Sequence, residues 1–132
     1  MTTGPTPPYT GRCLCGAITY RCTVPPHWQL HCHCESCRRT TASAFTSFLG
    51  VANGGWDWTG KPPATYQSSP GTFRDFCPTC GTQMTYRSAR FPAETHFYAA
   101  TLDRPEDYAP TGHVHADERL SWLHLADGLP EE

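Results

Sequence analysis

Between Gly16 and Pro25 apolar and polar positions alternate: Ile18, Tyr20, Cys22 and Val24 fall on one parity, Thr19, Arg21 and Thr23 on the other. A period of two is that of a strand with one buried face, so this stretch predicts a half-buried β-strand ended by Pro25-Pro26. Cys22 lies on the apolar parity and is read as a small core hydrophobe. Residues 45–51 predict a second strand, closed by the turn signal Asn53-Gly54-Gly55. Trp56 and Trp58, two positions apart, share one face and are assigned to packing. Lys61-Pro62-Pro63 marks another turn, before a short strand over 65–67. Apolar pieces at 73–76 and 84–86 flank Cys77-Pro78-Thr79-Cys80-Gly81 and predict a hairpin with that sequence at its tip. A buried strand is expected over 95–102 and a last one over 122–125, with only a turn or two of helix over 38–44.

Short strands between turn residues, with 13 prolines and 11 glycines, point to a mainly β fold. At 132 residues the chain has the size of one domain. Residues 1–10, with Gly4-Pro5-Thr6-Pro7-Pro8, are expected to be a flexible tail, and residues 11–132 a single domain without repeats or linkers. The formal charge of −2 provides no basic stripe for nucleic acid. No apolar run approaches the ~20 residues of a membrane span, and the first ten residues lack the apolar stretch of a signal peptide. The eight cysteines are therefore expected to be reduced and metal-binding in a cytoplasmic protein rather than paired in a secreted disulfide scaffold.

Seven of those cysteines fall into three groups: Cys13/Cys15, Cys32/Cys34/Cys37 and Cys77/Cys80. The two distant pairs together supply the four ligands of a closed zinc site, whereas closing a site from the triplet and one outside cysteine leaves an odd remainder. Gly16 and Gly81 let the chain turn around the paired sulfurs, and Pro78 fixes the second turn. In His31-Cys32-His33-Cys34-Glu35-Ser36-Cys37-Arg38-Arg39, alternation sends Cys32 and Cys34 to one side and His31 and His33 to the other. The two residues between Cys34 and Cys37 allow a tight turn that brings in the third sulfur. Three thiolates hold zinc one ligand short of four, which is the pattern of a catalytic centre. Closure of this second site by His27, His96, His113, His115 or His124 is equally compatible with the sequence. Arg38 and Arg39 adjoin the triplet. They suit a substrate carboxylate, and equally suit offsetting thiolate charge or facing solvent.

The order Cys13-x-Cys15-Gly16, Cys32-His33-Cys34-x-x-Cys37-Arg38-Arg39 and Phe76-Cys77-x-x-Cys80-Gly81 resembles the glutathione-dependent formaldehyde-activating enzyme family, related to the domain of centromere protein V. Leu102-Asp103, Pro110-x-x-His113 and Trp122…Asp127-Gly128-Leu129-Pro130 are similar to its C-terminal pattern. The resemblance implies a small zinc-containing Mss4-like fold of twisted antiparallel sheets. It implies structural zinc at Cys13, Cys15, Cys77 and Cys80, and a second zinc at Cys32, Cys34 and Cys37 in the active site. It further implies a carbon–sulfur lyase handling a thiol–aldehyde adduct of the S-hydroxymethylglutathione type, with a glutathione-like thiol and an aldehyde as small-molecule partners. The rival expectation is a non-catalytic zinc module that binds a protein; a histidine on the second zinc favours it, an open position the enzyme. Which thiol, which aldehyde and which oligomeric state are not legible in the sequence.

Overall fold

The computed structural model describes residues 3–132 of the chain. Ten strands and one α-helix follow in the order β1 (Tyr9–Arg12), β2 (Thr19–Cys22), β3 (Trp28–Cys32), α1 (Glu35–Thr41), β4 (Thr46–Ala52), β5 (Trp56–Trp58), β6 (Ala64–Ser69), β7 (Thr72–Phe76), β8 (Gln83–Ser88), β9 (Glu94–Tyr98) and β10 (His113–Val114). They form a three-stranded sheet, β1-β2-β5, and a seven-stranded sheet, β10-β3-β4-β9-β8-β7-β6. The mainly β fold expected from the sequence is therefore present. All pairs are antiparallel except β10 with β3, which is parallel.

The alternation of β2 delivers Tyr20 and Cys22 to the core, as expected, with Ile18 just ahead of the strand. They pack with Tyr9, Leu49, Val51 and Phe97, and Trp56 and Trp58 close the same cluster from its edge. Cross-strand partners share a face, so the pairings Leu49↔Phe97 and Val51↔Thr95 put one parity of β4 and β9 into this core. The other parity faces away. Leu30↔Phe48, Phe48↔Tyr98, Tyr86↔His96 and Arg74↔Tyr86 carry a second surface across β3, β4, β9, β8 and β7. That surface lies beside the cysteine triplet, in a smaller apolar cluster of Cys32, Cys37, Phe48 and Tyr98.

Four expectations are corrected. Tyr9 and Thr10 are strand, and Tyr9 is buried with its hydroxyl donating to the Val24 carbonyl at 3.0 Å, so the loose tail does not extend to residue 10. Met1 and Thr2, the first residues of that tail, lie outside the described residues. The helix spans Glu35–Thr41 rather than 38–44, because Cys34 serves as its N-cap and Ala42, in the left-handed region, ends it. The strand expected over 95–102 stops at Tyr98, where a 3-10 turn over Ala99–Thr101 takes over and the Thr101 hydroxyl donates to the Tyr98 carbonyl at 2.7 Å. Residues 122–125 form no strand: Leu123 closes a turn on Leu120, and Trp122 is 68% exposed. Their alternation meets no partner strand, although β1, β5 and β6 are sheet edges. The late strand is instead the two-residue β10.

The apolar run of β4 contains one glycine with a steric reason. A Cβ on Gly50 would overlap the Trp28 indole, which lies across the strand and donates to Glu94 Oε2 at 2.7 Å. Gly50→Ala should destabilise the protein by about 1–3 kcal/mol, the usual cost of overpacking. Urea unfolding followed by circular dichroism checks this. A midpoint equal to wild type would show that Trp28 does not depend on the gap.

Candidate functional site

The Cys13 and Cys77 thiols are buried where the end of β1 meets the β7–β8 tip, with Cys15 and Cys80 at the rim. One ligand atom from each of the four lies within 4.8 Å of the others. Cys15 Sγ is 3.7 Å from both Cys13 Sγ and Cys77 Sγ. Sulfurs bound ~2.3 Å from a tetrahedral zinc stand roughly 3.8 Å apart, whereas a disulfide needs ~2.05 Å, so the spacing fits a shared ion and not a bridge. Both turns wrap the backbone round the sulfurs. Ile18 N–H donates to Cys13 Sγ at 3.3 Å, and Thr79 and Cys80 N–H donate to Cys77 Sγ at 3.4 Å each. Gly16 and Gly81 sit at φ of 84° and 82°, which the turns require. The Thr82 hydroxyl, 3.2 Å from Cys80 Sγ, helps draw that thiol down to about 5.

The triplet forms the second group: Cys32 at the end of β3, Cys34 before α1 and Cys37 in its first turn all lie within 4.8 Å of one another. The expected tight turn is a helical one. Cys37 N–H donates to Cys34 Sγ at 3.4 Å, a sulfur in the place where a serine or aspartate oxygen normally caps a helix. Cys32 Sγ stands 3.9 Å from Cys37 Sγ. Charge is shared unequally among the three. Hydrogen bonds from Cys32 and then Cys37 hold Cys34 far below the ordinary thiol range, while Cys32 is pushed far above it by Cys34 and then Cys37. Such a group offers soft donors for a borderline-soft metal ion.

Among the described residues, no histidine joins either sulfur group. His31 Nδ1 instead meets Ser47 Oγ at 2.8 Å. His33 is fully buried, and its Nε2 lies 2.9 Å from His113 Nδ1, while His113 Nε2 lies 2.9 Å from Asp127 Oδ2. A carboxylate only accepts, so His113 donates through Nε2 and receives the proton of His33 Nε2 on Nδ1. This ladder runs from the segment after β10 to the residue between Cys32 and Cys34, and keeps the His33 ring turned from the sulfurs. The His113 and Asp127 singled out in the sequence thus meet.

The triplet forms one wall of a cleft of about 590 Å³. The aromatic side of the cleft is Trp28, Phe48, Tyr86 and Phe91, with His96 packed among them at ring-centroid distances of 4.6, 6.2, 5.3 and 5.5 Å respectively. Glu94 Oε2 accepts from Trp28 Nε1 and from His96 Nε2, each at 2.7 Å, and burial lowers the His96 pKa despite that carboxylate. Arg74 also lines the cleft; the side chain is 5% exposed, and its guanidinium carbon lies 5.1 Å from the Tyr86 ring centroid. Arg38 and Arg39 border a separate shallow depression with Ala42, Leu120 and Trp122. Arg39 pairs with Glu35 at 2.7 Å on the surface, and Arg38 Nε donates to the His33 carbonyl at 3.4 Å. Sequence reasoning gave no role to Arg74, Tyr86 or Glu94, and considered His96 only as a ligand to close the triplet, which it does not join. The one available signal was a charged or polar residue inside each apolar strand pattern.

The sequence model of the glutathione-dependent formaldehyde-activating enzyme family matches residues 8–118. A Schizosaccharomyces pombe protein named as an uncharacterized lyase is 33% identical over 87 residues, covering 61% of this chain and 58% of the relative. The match thus spans less than two thirds of that relative's length. A crystal structure of a Rhodobacter sphaeroides protein shares the fold with a TM-score of 0.61 and 18% identity, covering 93% of this chain and 99% of that one. No helix among the described residues is long and apolar enough to cross a membrane.

The two sulfur groups should fail differently. Cys15 and Cys77 are 62 positions apart, so an ion shared by the four cysteines closes a long loop, and its binding is folding free energy. Structural zinc supplies about 10–16 kcal/mol in finger peptides, against about 5–15 for the net stability of a domain. Cys77→Ser should give insoluble or unfolded protein. The triplet spans only six positions. Cys37→Ser should fold and hold one zinc where wild type holds two, measured by elemental analysis with circular dichroism as the folding control. Equal collapse of both variants would sink this division.

Proposed function

The chain belongs to the glutathione-dependent formaldehyde-activating enzyme family, and from that premise we propose that it makes and breaks the carbon–sulfur bond of a thiol–aldehyde adduct, with zinc at both sulfur groups. The observation that carries the reading is the three-cysteine group, joined by no histidine among the described residues, in the wall of a cleft of about 590 Å³. A protein-docking module has no need of an incomplete ligand set facing such a cleft. Zinc held by Cys32, Cys34 and Cys37 would supply a Lewis acid and lower the pKa of a thiol reaching it.

The chain's own residues do the rest. Cys34, whose pKa its Cys32 and Cys37 neighbours depress, is the thiol of the group most readily ionised. The His33–His113–Asp127 ladder holds the intervening residue, so both flanking sulfurs face the same way. Trp28, Phe48, Tyr86 and Phe91 present an apolar wall that excludes water from a small aldehyde, an electrophile that water would otherwise hydrate. Bringing thiol and aldehyde into one cleft removes much of the entropy cost of their encounter. The proposed substrates are glutathione and formaldehyde first, then other small thiols and aldehydes.

The uncatalysed addition is itself fast, so exchange spectroscopy at equilibrium is the suitable measurement. Zinc-loaded wild type should raise the exchange rate between glutathione and its hydroxymethyl adduct at least several-fold, and Cys37→Ser should not. Identical rates for the two proteins across several thiols and aldehydes would remove the enzymatic reading.

A further inference from the structure

The cleft beside the triplet changes character along the order of the sheet. On this face Leu30 of β3 pairs with Phe48 of β4, Gly50 of β4 with His96 of β9, His96 with Tyr86 of β8, and Tyr86 with Arg74 of β7. From β10 to the end of β8 the lining is Val114, Leu30, Trp28, Phe48 and Tyr86, followed by Phe91. Across β7 and β6 it is Thr72, Arg74, Ser68 and Ser69, joined by Arg90. The change falls at two rings that each carry a guanidinium. The Arg74 guanidinium carbon lies 5.1 Å from the Tyr86 centroid and that of Arg90 5.7 Å from the Phe91 centroid. In the aromatic half, the Glu94 carboxylate is engaged by Trp28 Nε1 and His96 Nε2 at 2.7 Å each. The indole is held by that bond and lies over Gly50, where a Cβ would overlap it, so this surface is set before anything binds. Phe91 is 42% exposed, an apolar ring open at the mouth of the cleft.

We propose that the aromatic half of the cleft receives the substituent of the aldehyde, and that the preferred aldehyde carries an aromatic or branched apolar group where formaldehyde has a hydrogen. Apolar wall left to water is unfavourable and gains from being covered. Formaldehyde has two heavy atoms; at about 30 Å³ for a water-sized group it leaves most of such a wall bare. A glutathione-type thiol is charged at both ends and suits the arginines and hydroxyls of the other half, which leaves the rings to the second reactant. Position points the same way. Cys32 and Cys37 pack with Phe48, and Trp28, Tyr86 and Val114 pack against that cluster, so a group attached to a carbonyl carbon at the triplet falls among these side chains. The bond changes are those of any such addition. The sulfur pair forms the C–S bond, the C=O π pair moves to oxygen, and the thiol's proton ends on that oxygen, so atoms and charge balance. The substituent keeps its bond to carbon throughout.

The inference rests on the enzymatic reading above, and the test separates the two. Zinc-loaded wild type is given glutathione with formaldehyde, acetaldehyde or phenylacetaldehyde, and exchange spectroscopy reads the catalysed over the uncatalysed rate for each. That ratio should rise in the order named, by about 10-fold or more from first to last, since a single methylene in an apolar pocket is worth about that much. Phe91→Ala should cut the preference for phenylacetaldehyde over formaldehyde about 5-fold, and Phe91→Leu, which restores apolar area, should recover most of it. Binding is read without reaction through 2-phenylethanol, an unreactive counterpart of phenylacetaldehyde. It should shift the Trp28 indole N–H resonance, assigned by its loss in Trp28→Phe, at about 5-fold lower concentration than ethanol or less. A ratio for formaldehyde equal to or above that for phenylacetaldehyde overturns the proposal, while the enzymatic reading stands if wild type outpaces Cys37→Ser. Absence of the shift at Trp28 overturns it as well. So does a gain that follows the thiol, with benzyl mercaptan and formaldehyde matching glutathione and phenylacetaldehyde, which gives the aromatic half to the thiol. A wild type no faster than Cys37→Ser with every aldehyde removes the enzymatic reading and the aldehyde preference with it.

Discussion

The convergence of four sulfurs from the β1–β2 turn and the β7–β8 tip is the constraint on which the rest of the structure depends. Without it the three-stranded sheet and the long sheet are joined by the apolar core, where Tyr9, Ile18, Tyr20, Cys22 and the two tryptophans meet Leu49, Val51, Met84 and Phe97, and by the Leu14 N–H donating to the Thr82 hydroxyl oxygen at 3.1 Å. With it, the register of the β7–β8 hairpin is pinned at Cys77. Arg74 sits three positions before that cysteine and Tyr86 six positions after Cys80. The sulfurs that fasten the fold therefore also set one wall of the cleft, though they lie outside it. Asp75 supports the same hairpin from its other face, accepting two hydrogen bonds from Arg87 at 2.8 Å each and one each from Thr65 and Thr85 at 2.6 Å.

The second sulfur group is held by other means. A thiol caps a helix of seven residues, two imidazoles and a carboxylate brace the residue between Cys32 and Cys34, and β10 lies parallel to the strand that delivers Cys32. The His33–His113–Asp127 ladder and β10 hold the group without using a sulfur, whereas the helix cap uses one of the three, Cys34 Sγ. The group is placed by the fold, whereas the four-cysteine group helps to place the fold.

Strands whose alternation feeds a core were legible, as β2 and the flanks of the cysteine hairpin demonstrate, because burial on one face leaves a period of two in the residues themselves. The sulfur groups were legible because short-range spacing constrains a tetrahedral ligand set strongly. The helix was misplaced because a cysteine cap looks like a ligand and nothing else. Residues 122–125 misled because alternation states a preference for a sheet and cannot supply a neighbouring strand. Arg74, Tyr98 and the partnership of His33 with His113 were hidden for a common reason. They are single polar residues on apolar strands, and only the register of β7, β8, β9 and β4, or the parallel pairing of β10, brings them to the triplet.

The pleat of β4 assigns its even and odd positions to different tasks. Leu49 and Val51 fill the core between the sheets, while Phe48 and Gly50 lie on the opposite face, beneath Tyr98 and Trp28. Neighbours in sequence thus answer to separate selective pressures, one for folding and one for what the cleft admits. Drift at Phe48 can alter the contents of the cleft with little burden on the core, and drift at Leu49 cannot. A chain built on this strand can reshape the wall of its cleft one residue at a time and keep the same scaffold.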